Sequence, residues 1–282
     1  MERIFARYRR RLLYPLLSLV VMLGIVLGSP VISQAFSPFE LLLRGIQVIQ
    51  LSSMSSQQEF QIGRQINQQL VSREVRLYRN PAINRYVEQI GRRLAANSDR
   101  PNIKYTFQVV DDKSINAFAT MGGYVYVNTG LLRLADNEAE LASVMAHEIG
   151  HIAGRHSIKQ MRQMAIASGV ASATGVDRNL AVRLGVDLAL RRPNSREDEF
   201  EADQMGLRTL KRAGYAPSAM VTFMEKLLKG GRSLPTFLST HPATQARIDK
   251  LKSQIDPKTA NTGAGLNSAA YQASIRPLLA SR

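Results

Sequence analysis

The chain has 282 residues, 45% of them hydrophobic, which marks it as globular rather than disordered and long enough for one large catalytic domain or two small ones. It contains no cysteine, so a disulfide framework and a thiolate metal site are both excluded, and any metal must be held by nitrogen and oxygen donors. The formal net charge of +15 suits anionic membranes, nucleic acid or acidic partners; no nucleic-acid motif accompanies it, so a membrane surface is the expected partner.

The chain opens with Arg3, Arg7, Arg9, Arg10 and Arg11, continues into an uncharged apolar run over residues 12–28, and reaches the small-x-small pattern Ser33-Gln34-Ala35. This is the order of a secretory signal, expected over residues 1–35. The uncharged stretch 12–39 is also long enough to act as an uncleaved anchor. The arginines stay on the cytoplasmic side in both cases, and both export the remainder, to the periplasm or to a membrane facing it. Without that segment the charge is still +11, so the body is basic too. Residues 36–55 read as a linker or interfacial segment, and 56–256 as the catalytic domain.

From Ser56 the pattern turns helical, with Phe60, Ile62, Ile66 and Leu70, and a second helix follows Pro81, with Ile83, Val87, Ile90 and Leu94. The period then changes. Ile103, Tyr105, Phe107 and Val109 alternate with polar residues as in a half-buried strand, and 115–120 and 123–128 read as two more strands around Gly122-Gly123. Asn137, with Glu140 three residues on, signals a helix start, and its apolar face is Leu141, Val144, Met145 and Ile149. Helices are expected over about 157–171, 178–191 and 195–213, the last stopped by Gly214. Another runs from Pro217 to Gly230-Gly231, and a last one from near Pro242 to about Ile255. Residues 257–282, rich in Ala, Ser, Asn and Gly, read as a flexible tail. The fold class is α+β, mostly helical with one small sheet.

His147-Glu148-Ile149-Gly150-His151 falls inside the capped helix. Residues four apart share a helical face, so both imidazoles reach one ion, while Glu148, turned about 100°, can touch a water on that ion without binding it. Zinc needs a third protein ligand and an open position. His156 is one candidate, although it falls one residue short of the metzincin spacing. The other lies in Glu197-Asp198-Glu199-Phe200-Glu201-Ala202-Asp203, where Glu199 and Asp203 share a face, one to bind the metal and one to accept a hydrogen bond from a ligand imidazole.

These residues resemble peptidase family M48, the zinc endopeptidases that include the CAAX prenyl proteases, the Oma-type proteases, HtpX and the BepA type. The matching features are His147-Glu148-Ile149-Gly150-His151 followed by Arg155-His156, and Glu199-Phe200-Glu201-Ala202-Asp203. Asn116-Ala117-Phe118-Ala119 leading to Gly122-Gly123, and Ser239-Thr240-His241-Pro242 with Arg247, complete the set. The resemblance runs from about Ser56 to Ile255. It implies a gluzincin-like metalloprotease domain holding one Zn2+ on His147, His151 and Glu199, with Glu148 as general base and Asp203 and Arg247 behind the ligands. It further implies polypeptide substrates, with protein quality control at a membrane surface or beside outer-membrane assembly machinery. With one N-terminal apolar segment, the chain is closest in pattern to the periplasmic soluble or single-anchor branch. The rival reading is a binding or chaperone-like assembly factor with weak or no proteolysis.

Two further expectations concern the cleft. Residues 123–128, with Gly122, Gly123, Tyr124, Val125 and Tyr126, are read as an edge strand that pairs with extended substrate, the alternative being an interior strand after a hairpin turn. His241 is assigned to the cleft, either blocking the open zinc position or donating a hydrogen bond to a developing oxyanion.

Overall fold

The computed structural model describes residues 48–49, 51, 53–167, 176–229, 236–242 and 245–280. The expected signal or anchor, most of the linker, and Gly230-Gly231 lie outside the described residues. Among the described residues, no helix is long and apolar enough to cross a membrane.

Helix α1 (Ser56–Gln69) starts at Ser55, whose side chain and that of Gln58 cap each other's backbone, and α2 (Pro81–Ala96) starts at Asn80 with proline in its first turn. Strands β1 (Thr106–Val110), β2 (Ala117–Thr120) and β3 (Tyr124–Asn128) form a sheet in the order β1-β3-β2, with β1 parallel and β2 antiparallel to β3. The helices that follow are α3 (Thr129–Leu134), α4 (Glu138–Ala153), α5 (His156–Ala167), α6 (Arg178–Arg191), α7 (Arg196–Arg212), α8 (Ser218–Lys229), α9 (Thr236–Thr240) and α10 (Gln245–Gln254), and then α11 (Ser268–Ser274) and α12 (Arg276–Ala280).

Both faces of the sheet are covered. Val125 and Val127 point into a core built with α2, α4, α7 and α8, while Tyr124 and Tyr126 point into a second core built with α1, α5 and α6. That corrects one expectation. The strand from Tyr124 to Asn128 is the central strand, buried along its whole length, and Gly122-Gly123 is the turn that leads into it, at φ 80° and 90°. A strand sandwiched between two cores has no groups left for substrate. The sheet edge beside α4 is instead Ala117–Thr120.

Residues 257–280 correct a second expectation. They are not a loose tail. Tyr271, Ile275 and Leu278 are buried, the Tyr271 hydroxyl donates to Leu132 O at 2.7 Å, and Gly265 O accepts from Ala139 N at the start of α4. Low-complexity composition hid three apolar anchors spaced at helical intervals.

Candidate metal centre

Helix α4 is buried from Ala139 to Ile152, and α7 lies against it at unusually close range. A Cβ on Gly150 would fall 2.6 Å from Ala202 O, and one on Gly206 would fall 3.0 Å from the His147 backbone. These two glycines let the helix backbones touch, which carries Glu199 and Asp203 up to the histidines. At its start α4 is held by Asn137, which accepts from Glu140 N at 3.0 Å. The Glu140 carboxylate accepts from Asp136 N rather than from the cap residue, and it is also paired with Lys226.

His147, His151, Glu199 and His241 place four donor atoms together, all buried. His147 Nε2 and His151 Nε2 are 3.0 Å apart, and Glu199 lies 3.5 Å from the first and 3.3 Å from the second. His241 Nδ1 is 3.3 Å from His147 Nε2 and 3.0 Å from Glu199 Oε1. Four ligands at about 2.0–2.2 Å in a tetrahedron stand roughly 3.3–3.6 Å from each other, so this spacing suits one small ion such as zinc. The absence of sulfur and the mix of imidazole with carboxylate fit the same ion. His156, the alternative third ligand, is outside this set.

Behind the donors, Asp203 Oδ1 lies 3.0 Å from His147 Nδ1, off the ideal N–H direction. Arg247 grips Asp203 with two bonds of 2.7 Å, reaches Glu199 Oε2 at 2.5 Å, and donates to Pro242 O at 2.9 Å. The electrostatics favour positive charge. Burial works against an imidazolium at His147, yet Asp203 and Glu199 outweigh it and raise the pKa to about 9. Burial pushes His151 down to about 3, so it stays neutral and offers a lone pair. At Glu199 burial raises the pKa, but His241, His147 and His151 together hold it far below the usual carboxylate range.

Glu148 differs from both. Burial raises its pKa, and neither of its oxygens has a hydrogen-bond partner among the described residues; His241 Nε2 approaches Oε1 at 3.4 Å. A buried carboxyl left unpartnered is costly and is the usual mark of a group held for chemistry. It lines a cavity of about 30 Å³ with Phe118, Ala119, His151, Asn194 and His241. Of the strand residues assigned to substrate, Tyr124, Val125 and Tyr126 do not reach this cavity; their neighbours across the ladder, Phe118 and Ala119, do.

Two participants had no sequence signal. Asn194 sits 3.2 Å from His241 Nδ1 and donates to Thr240 O at 3.4 Å, with Gln160 holding its own side-chain oxygen at 2.7 Å. Phe237 stacks on the His241 ring at 4.6 Å. Neither belongs to a local motif, and both reach the site only through the fold.

Residues 81–255 match Peptidase family M48. The chain is 33% identical over 213 residues to the Beta-barrel assembly-enhancing protease of Escherichia coli (strain K12), covering 70% of this chain and 44% of that protein. It is 31% identical over 242 residues to the protein of that name from Yersinia pestis, covering 79% and 49%. It is 33% identical over 174 residues to the Mitochondrial metalloendopeptidase OMA1 of Schizosaccharomyces pombe, covering 59% and 51%. The chain thus spans about half the length of these curated relatives.

Proposed function

The chain belongs to Peptidase family M48, and from that premise we propose that it is a zinc-dependent metalloendopeptidase acting on unfolded or misassembled exported proteins. The observation that carries the reading is the near-tetrahedral spacing of His147, His151 and Glu199 with Glu148, which has no hydrogen bond among the described residues, beside them.

His147, His151 and Glu199 would hold the zinc, which would supply a Lewis acid for the scissile carbonyl and lower the pKa of an attacking water. Glu148 is placed to accept a proton from an attacking water and pass it to the leaving amine, and its raised pKa brings it closer to the range such a relay needs. Asp203 and Arg247 keep the His147 Nε2 lone pair facing the ion. The edge strand Ala117–Thr120, which lies against α4, offers its outer edge to an extended substrate backbone. His241, at the fourth corner of the donor cluster, keeps the enzyme latent until Phe237 and His241 move aside together. The basic body and N-terminal arginines support export and work at a membrane surface, and the name of the Escherichia coli relative supports β-barrel assembly as the setting.

The test is purified protein assayed for zinc and for cleavage of unfolded casein. One zinc per chain is expected, with cleavage lost by orders of magnitude in Glu148→Gln while zinc is retained. Wild-type-like cleavage by Glu148→Gln would remove the mechanism.

A further inference from the structure

His156 is the one histidine of the chain that the donor cluster does not use. It is buried, and its Nδ1 lies 2.8 Å from Nδ1 of His151. Its other nitrogen, Nε2, faces Glu201 Oε2 at 3.3 Å and Asp198 Oδ1 at 3.9 Å. The turn from α4 into α5 is shaped around this ring. A Cβ on Gly154 would fall 2.4 Å from His156 Nε2, so only glycine leaves the ring its place. Arg155 takes φ 55°, a conformation that L-residues adopt at a cost of about 1 kcal/mol or more. Its side chain makes one bond to Met54 O and a 3.3 Å contact with Glu59.

Two ring nitrogens 2.8 Å apart share one proton: one donates and the other accepts. His151 turns Nε2 towards His147 and Glu199 as a lone pair, so its proton sits on Nδ1. His156 Nδ1 must then be the acceptor. The ring carries its own proton on Nε2, which faces Glu201 Oε2 and donates to it at 3.3 Å. Each tautomer follows from the next, ending at a carboxylate whose side chain is half exposed.

We propose that His156 is a positioning residue of the metal site, fixing the tautomer and ring orientation of His151 through its Nδ1 lone pair. Asp203 does the corresponding work for His147. The proposal rests on the zinc reading of the donor cluster. It also gives a role to the close approach of Gly154 to the His156 ring, which the ligand set alone does not explain.

Three proteins are compared by competition against a chromogenic zinc chelator. His156→Leu fills the buried volume and offers no acceptor, whereas His156→Asn places Oδ1 where Nδ1 stands. Zinc affinity should fall about 10- to 100-fold in His156→Leu and stay within about threefold of wild type in His156→Asn. Undiminished affinity in His156→Leu, or equal losses in both variants, overturns the proposal and returns His156 to packing. A second measurement needs no variant. In isotopically labelled, zinc-loaded wild-type protein, long-range proton–nitrogen correlation of the four imidazoles should give His151 as the Nδ1–H tautomer and His156 as Nε2–H. A proton on Nδ1 of His156 overturns it even if both variants fail to fold. Wild-type protein that takes up no zinc overturns the metal reading itself, an outcome distinct from either of these.

Discussion

Arg247 joins three parts of the site, since one guanidinium holds Asp203, Glu199 and the backbone of Pro242 next to His241. Its fork matches the Asp203 carboxylate in a bidentate pair, so a lysine cannot replace it. Arg247→Ala strands two buried carboxylates and should destabilise the protein by about 3–5 kcal/mol, with Arg247→Lys recovering only part of the loss. Denaturant unfolding with chelator present measures this free of zinc linkage. His241 calls for a functional readout. Its imidazole is braced by Asn194 and Phe237 at the fourth corner of the donor cluster, the position from which the proposed latency would act. His241→Ala should therefore raise cleavage of unfolded protein and bring on self-cleavage. A fall of roughly 10²–10³ instead would make it an oxyanion donor.

At the scale of elements, the decisive contact is α4 against α7. Two helix axes approach this closely only where the facing residues are as small as glycine and alanine, and Gly150 with Ala202 and Gly206 with His147 provide that twice. Gly150→Val should push α7 outward by its added carbons, at a cost of about 1–3 kcal/mol, and weaken zinc binding by moving Glu199. Thermal unfolding and chelator competition test the two effects separately; unchanged zinc affinity would mean Glu199 reaches the ion without this contact. Most element boundaries were legible beforehand because caps are local chemistry. Asn80, Asn137, Asp177 and Ser195 each sit where their side chain accepts the first free amides of a helix. Strand order was not legible. The alternation that marks a strand says nothing about its neighbours, and the run from Tyr124 to Asn128 reads alike at an edge or in the centre.

For the whole molecule, two cores pack on opposite faces of the sheet, and the C-terminal segment closes the larger one over α3 and the start of α4. Tyr271 is almost fully buried and bonded through its hydroxyl, so Tyr271→Ala should cost about 3–5 kcal/mol, read by denaturant unfolding. A loss under about 1 kcal/mol would restore the segment to the loose tail its composition suggests. The sequence by itself put His147 and His151 on one helical face with Glu148 beside them, and it carried the helical class and the family resemblance. Each of these depends on spacing within one helix or on residue chemistry, and both are written in consecutive residues. Only the tertiary structure decided which strands lie at the edges and which at the centre, how Asn194 and Phe237 brace His241, and where His156 turns its nitrogens. Those depend on which elements become neighbours, and that follows from burying two cores at once, including glycine contacts between helices more than forty residues apart in the chain.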